Sequence, residues 1–178
     1  MSISVNLSNK ANKYVIHNLY PLYLYDLAEI WGRSPNKFGV FEEDDTKTLL
    51  EQNTFFDIWW EKDNVLFPHL ISVDDIPVGL AFVATPPFTP EKTDFIINEF
   101  FLLRFFRGRG IAEQAAIMLF NQYKGRWGLY TNCTDNNIRT LRFWRKTLGN
   151  YTNSNYVEEQ QDTPDGVMTF FGFNNADF

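Results

Sequence analysis

Apolar positions along the chain alternate with period two in some stretches and recur every three to four residues in others, with Gly, Pro, Asn and Asp clusters between them. Tyr14, Leu19, Leu22, Leu24, Leu27, Ile30 and Trp31 predict a helix begun or interrupted at Pro21 and stopped by Gly32-Arg33-Ser34-Pro35-Asn36. A second helix is expected from Asp45-Thr46 over Leu49 and Leu50 toward Phe55-Phe56, with Trp59-Trp60 at its end. Leu66–Val73, the turn Asp74-Asp75 and Ile76–Ala84 read as a hairpin, and Pro86, Pro87 and Pro90 as an exposed loop. Ile96–Leu103 is apolar on both faces, which a buried strand requires. Ile111, Ala115, Met118 and Leu119 then mark a helix that ends at Lys124-Gly125-Arg126. A short strand Trp127–Cys133 and a helix Asn137–Lys146 follow, and a last hairpin joins Tyr151–Glu158 to Gly166–Phe173 through a polar turn around Gln160–Asp165. The segment before Tyr14 is polar and predicts no element. Without repeats or a linker, residues 1–178 read as one mixed α+β domain.

Composition changes this picture in two respects. The chain has 18 Phe, 8 Tyr and 5 Trp, so core and pockets alike should be aromatic. Its one cysteine, Cys133, excludes an internal disulfide framework and fits a reducing compartment. The amino terminus has no basic region followed by an apolar one, and no apolar run approaches the roughly 18 residues of a membrane span. The expectation is a cytoplasmic protein without membrane partners.

Charge is uneven. The total is −6, yet Arg104–Lys146 carries nine basic residues against Glu113 and Asp135, a local +7 that leaves −13 for the rest. A basic middle suits a compact polyanion, whereas the acidic remainder repels a long one, so nucleic acid is not expected as a partner.

The candidate chemistry lies in Arg107-Gly108-Arg109-Gly110-Ile111-Ala112, between the apolar strand and the helix. Two glycines one residue apart let a ligand approach the backbone, and the first amides of a helix have no partner within it. Those amides and the helix dipole favour an anion, and Arg107 and Arg109 add charge. A P-loop needs Gly-Lys followed by Ser or Thr, and a dinucleotide turn needs a third glycine and a later acid; both are missing.

The remaining pattern, Arg107-x-x-Gly110-x-Ala112, resembles the acyl-CoA turn of the GNAT superfamily of N-acetyltransferases. Asn137-x-x-Thr140-x-x-Phe143-Trp144 resembles that superfamily's Asn-x-x-Ala-x-x-Leu-Tyr, and the element order agrees. Glu99-Phe100-Phe101, Gly125-x-Trp127 and Phe143-Trp144-Arg145 are similar to a branch of predicted acetyltransferases. The resemblance implies a central, mostly antiparallel sheet of six to seven strands flanked by about four helices. It implies acetyl-CoA as co-substrate and no metal. It further implies backbone contacts to the pantetheine from Phe101, Leu102 and Leu103, pyrophosphate binding by Gly108–Ala112 with Arg107, Arg109, Gly110 and Ile111 included, and pantetheine contacts from Asn137 and Trp144. The implied reaction is direct attack of a neutral primary amine on the thioester.

Two positions depart from the family. Trp144 replaces the Tyr that protonates the leaving thiolate, and indole offers no comparable proton. Asn132 stands where some members place a carboxylate base. Glu99 is the candidate base, since a desolvated Glu acquires a raised pKa; its other reading is a structural carboxylate bonded to a strand or an arginine. Tyr151 is the weaker candidate, and Tyr151 and Tyr156 also read as packing residues. His17 and His69 are too few and too far apart in sequence for a metal site, and Cys133 has no nearby His.

Three function classes follow: an N-acetyltransferase, a silent acyl-CoA sensor or regulator, and, last, a nucleic-acid-binding domain. The acceptor is expected to be a cationic small molecule ahead of a protein, drawn by Asp26, Glu29, Glu42, Glu43, Asp44, Asp45, Glu158 and Glu159, with Tyr23, Tyr25, Trp59 and Trp60 as cation–π partners; the other reading is an ordinary solvated surface for the acids and the core for most of the aromatics. A homodimer is left open.

Overall fold

The structure, a computed structural model, describes residues 1–176. Seven strands form one sheet: β1 (Ile3–Leu7), β2 (Leu66–Val73), β3 (Ile76–Ala84), β4 (Phe95–Leu102), β5 (Arg126–Asn132), β6 (Val157–Thr163) and β7 (Gly166–Asn174). They lie in the order β1-β2-β3-β4-β5-β7-β6, antiparallel throughout except for the parallel pair β4 and β5. Four helices accompany them: α1 (Lys13–Trp31), α2 (Leu49–Phe55), α3 (Ile111–Gln122) and α4 (Ile138–Tyr151).

The β2–β3 hairpin stands as its alternation predicts. Elsewhere the elements differ for identifiable reasons. Pro21 lies inside α1, which runs unbroken through it until Gly32, at φ +64, caps the end with its N–H on Ala28. α2 starts later than expected because Thr48 and Glu51 form a reciprocal capping box, a Thr-x-x-Glu signature that Asp45-Thr46 lacks. On α3 the buried stripe is Ile111, Ala115, Ala116, Leu119 and Phe120, and Met118 lies beside it, exposed. α4 extends five residues past Lys146 to Tyr151, so Tyr151 ends a helix rather than opening a strand.

Both terminal edges of the sheet differ from the expectation. β1, Ile3-Ser4-Val5-Asn6-Leu7, alternates apolar and polar residues as a half-buried strand does and pairs with β2 along its whole length, which corrects the expectation of no element before Tyr14. β6 takes in the Gln160–Asp162 segment expected as a turn, and only Pro164-Asp165 joins it to β7. Its acids and amides suit an edge strand that must not recruit another chain.

The sheet is packed on both faces. On one, α3 and α4 cover a core that includes Ile71, Val83, Ile97, Leu129, Trp144 and Phe171. On the other, α1 and the 3-10 turn Asp57–Trp60 cover Leu66, Leu70, Leu80, Phe82, Ile96 and Phe101. Trp59 and Trp60 belong to this second core, against Phe82.

Candidate active site

β4 and β5 pair only at Phe95–Trp127, Ile96–Gly128 and Ile97–Leu129, and then separate. A register shift opposite Phe82 and Val83 leaves Asn98 as the extra residue of a β-bulge in β4, and a bulge of this kind turns a strand away from its neighbour. From Asn98 onward the β5 side of β4 therefore has no strand beside it.

Which backbone groups face that gap follows from strand alternation. The Leu103 N–H donates to the Val78 carbonyl (2.8 Å), and the Phe101 carbonyl is turned so closely on Gly79 of β3 that a Cβ there would strike it. Phe101 and Leu103 are thus tied to β3, which corrects the expectation that their backbone is free for a ligand. Leu102 faces the gap, and so does Phe100, which counting in twos back from Leu102 would have found.

The gap leads to the glycine turn. Gly108 and Gly110 adopt φ of +74 and +76, values that a side chain resists, and a Cβ on Gly108 would meet nothing within 4 Å. Gly110 caps α3 without a side-chain bond, so the amides of Ile111 and Ala112 point out of the helix end. Glu113, the one acid in the first turn of α3, is bonded instead to Lys146 (2.5 Å) and Asn150 (2.8 Å) of α4, and the ammonium holds its pKa below the usual value.

The arginines of the turn divide. Arg107 donates through Nε to the Leu102 carbonyl (2.7 Å) and pairs with Asp26 of α1. Arg104 pairs with the same Asp26 (2.9 Å) and with Glu29 (2.5 Å). Asp26 and Glu29, expected near an acceptor, instead clasp the turn to α1 and offset most of its charge. Arg109 stacks over Phe105 at 4.5 Å and has no carboxylate partner among the described residues.

Asn137 sits buried before α4. Its amide donates to Thr131 Oγ1 (2.8 Å) and the Asn132 carbonyl (2.7 Å), while its Oδ1 is buried without a partner. An unsatisfied buried acceptor invites a donor from outside the protein. Trp144 is buried against Phe100 (5.3 Å) and Phe143 (4.7 Å), just beneath the open part of β4.

Glu99 projects from β4 on the opposite face, where it meets neither strand nor arginine. Its partner is Tyr23 of α1, whose hydroxyl donates to Oε2. Burial drives the Glu99 pKa up to about 7 against the lowering effect of this hydrogen bond. Tyr23 is itself pushed well above its usual value, first by burial and then by the Glu99 charge, and Tyr20 is raised for the same reasons. The sequence suggested Tyr23 as a cation–π partner or a core residue, not as the partner of Glu99.

Other candidates are set apart. Tyr151 lies at the far end of α3, its hydroxyl donating to Asn121 Oδ1 (2.9 Å) and accepting from Asn175 (3.1 Å), its ring against Phe120. That end is about 15 Å from Gly110, given the rise per residue of a helix, so Tyr151 is a packing residue and not part of the site. Glu158 is bonded to Arg145 on the α4 face of the sheet. Among the described residues no His, Cys, Asp and Glu cluster could hold a metal ion, and no helix is long and apolar enough to cross a membrane.

The sequence model of the acetyltransferase (GNAT) family matches residues 24–149. No curated protein matches the sequence. Among solved structures, the chain is similar to an acetyltransferase from Thermus thermophilus (TM-score 0.66, 14% identity, 98% of this chain and 97% of that one). It is similar as well to an aminoglycoside acetyltransferase in complex with coenzyme A and kanamycin (0.66, 15%, 97% and 95%). A third is the spermidine N-acetyltransferase of Vibrio cholerae in complex with coenzyme A and spermine (0.66, 11%, 98% and 96%). At these identities the likeness is one of fold.

Proposed function

Because the chain belongs to the acetyltransferase (GNAT) family, we propose that it is an acetyl-CoA-dependent N-acetyltransferase whose acceptor is a primary amine on a cationic small molecule. The observation that carries the acceptor is Glu99, a half-buried carboxylate whose partner among the described residues is a tyrosine and not a cation. A carboxylate of this kind is costly to bury and attracts an ammonium ion.

The residues present fit acetyl-CoA. Open glycines, free amides at the head of α3 and the unpaired Arg109 suit its phosphates. The backbone of Phe100, the N–H of Leu102, whose carbonyl Arg107 already holds, and the unsatisfied Oδ1 of Asn137 suit the amides of the pantetheine. When bound, acetyl-CoA supplies an acetyl group activated as a thioester.

Glu99 then has two tasks. As the carboxylate it binds the ammonium form of the acceptor, and by accepting one proton it leaves the neutral amine that forms the new C–N bond as the C–S bond breaks. A pKa of about 7 matches that role at neutral pH. A backbone N–H at the open edge of β4, from Phe100 or Leu102, would stabilise the charge that develops on the carbonyl oxygen. The thiolate takes its proton from Glu99 or from water, since Trp144 has none of suitable acidity to give, and the second proton, lost by the nitrogen once the C–N bond has formed, passes to the Glu99 carboxylate so freed or to solvent.

Trp144 also favours a second reading, a protein that binds acyl-CoA without turning it over. Release of coenzyme A thiol in the presence of polyamines, aminoglycosides, amino acids and lysine peptides separates the two. The enzyme reading expects turnover with a cationic amine and an apparent KM that rises with salt. Binding of acetyl-CoA with no thiol release across the panel would establish the sensor instead.

A further inference from the structure

Across the face of the sheet that carries Glu99, four side chains stand in a row on successive strands. Glu99 lies opposite Phe82 on this face of β4; Tyr130 occupies it on β5; Phe170 is directly opposite Tyr130 on β7; and Glu159 is directly opposite Phe170 on β6. Directly paired residues of neighbouring strands project to the same side, which joins Tyr130, Phe170 and Glu159; Glu99 is not paired with β5, but Phe82 opposite it and Tyr130 pack on the same core, so the order on this face is carboxylate, ring, ring, carboxylate.

Helix α1 and the Asp57–Trp60 turn roof this face over β2, β3 and β4. Beyond β4 it opens into a groove of about 510 Å³ whose lining includes Tyr130, Phe170, Gln161 and Glu159; Glu99 lies outside that lining, on β4 beside Tyr23 of the α1 roof. Its floor is built flat. The Phe170 ring lies over two glycines, and a Cβ on either Gly128 or Gly172 would come within 2.8 Å of it. Tyr130 packs beside it with ring centroids 5.0 Å apart. The Tyr130 hydroxyl donates to Gln161 Oε1 (2.7 Å), and the Gln161 amide donates to Glu159 Oε1 (2.5 Å), so the second carboxylate is held at the edge of the floor by the floor itself.

Other charges reach the groove only at its Pro90–Thr93 end. Glu91 and Lys92 are there together, and Arg126 is neutralised by a two-pronged pair with Asp94 at 2.7 and 3.0 Å. The row itself carries two negative charges and no positive one.

We propose that this row is the acceptor groove and that the acceptor is a linear dication. One amine lies at Glu99, the second cationic group at Glu159, and the apolar chain between them rests on the faces of Tyr130 and Phe170. The proposal rests on Glu99 being the reacting end, as argued above. Three strand intervals of about 4.8 Å put the two backbones about 14 Å apart, and the parting of β4 from β5 adds to that. A monoamine, or a diamine too short to reach, uses only half the row. Aromatic faces accept methylene chains and ammonium groups alike, so the floor favours a flexible chain over a bulky polar one.

Paired series of monoamines and α,ω-diamines of equal length, from two to twelve carbons, test this by thiol release and by calorimetric titration. Long diamines are expected to show a KM about tenfold or more below their monoamine partners, and short ones no difference. Glu159→Gln should erase that difference. Glu158→Gln, on the other face of the same strand, should keep it. Equal KM and equal affinity for long diamines and monoamines in the unaltered protein would overturn the proposal, as would a difference that survives Glu159→Gln. Titration keeps the two readings apart: Glu159-dependent binding of a long diamine without thiol release would support the groove and defeat the enzyme.

Discussion

The hydroxyl of Tyr23 donates to the carboxylate of Glu99 across 76 residues of sequence, joining the second half of α1 to the strand that parts from β5. Among the described residues it is the donor that this half-buried acid has, and it stabilises the ionised form against the desolvation that opposes it.

Tyr23→Phe should therefore move the acid limb of the pH–rate profile. With Glu99 ionising at about 7, kcat/KM is expected to rise through that pH and level off above it. Loss of one hydrogen bond to a charged group, about 1.5 kcal/mol, should shift the midpoint upward by about one pH unit. A uniform fall in rate at every pH, with the midpoint unmoved, would show that Tyr23 only packs.

Glu99→Gln should affect stability in a pH-dependent way. The folded pKa of about 7 stands above the ordinary 4.5, so the folded state binds the proton more tightly than the unfolded one. The burial penalty is absent below about 4.5, grows as pH rises, and is complete above 7. Thermal melts should accordingly show the variant more stable than the parent at pH 8 and no different at pH 4. Each kcal/mol recovered corresponds to about 2–4 °C in a chain of this size. The same variant should lose most turnover where the acceptor is protonated and least where it is already neutral.

Asp26→Ala removes the acid that Arg104 and Arg107 share. The side chain is 14% exposed, and its loss leaves two guanidinium groups facing each other beside the turn. A cost of about 1–3 kcal/mol is expected, visible as a lower Tm, and amide exchange should quicken in the glycine turn and in the end of α1 together. Faster exchange in only one of them would show that the clasp does not couple the two.

Arg109→Ala and Gly110→Trp test the coenzyme end separately. Arg109 is the arginine of the turn without a carboxylate, so its removal should weaken acetyl-CoA about fivefold, for about 1 kcal/mol, and flatten the salt dependence of binding. Arg104→Ala should do much less to affinity. Gly110→Trp places a ring where phosphate must approach the backbone at a φ of +76, and titration calorimetry should show affinity lost in a variant that still melts cooperatively. Retained affinity would remove the turn from the site.

Local signals carried much of this fold in the sequence alone. Alternation and Asp74-Asp75 determined the β2–β3 hairpin, the helical stripe determined α3, and the two glycines determined the turn between β4 and α3, because each depends on residues a few positions apart. The resemblance in the Arg107–Ala112 and Asn137–Trp144 patterns identified the family for the same reason. Only the tertiary structure decided what depends on distant partners. β6, polar at every position after Val157, does not announce itself and is a strand because β7 offers it hydrogen bonds; β1 alternates in period two, but five residues become a strand only with β2 beside them. The charge of Arg107 reads from sequence as free for an anion, and Asp26, 81 residues away, claims it. Glu99 reads as an acid in need of a partner, and that the partner is a tyrosine rather than an arginine follows from the packing of α1 over β4. The row from Glu99 to Glu159 has no trace in any stretch of the chain, since the order β4-β5-β7-β6 that creates it is a property of the sheet, and period-two alternation says which residues share a face only once the neighbours are known.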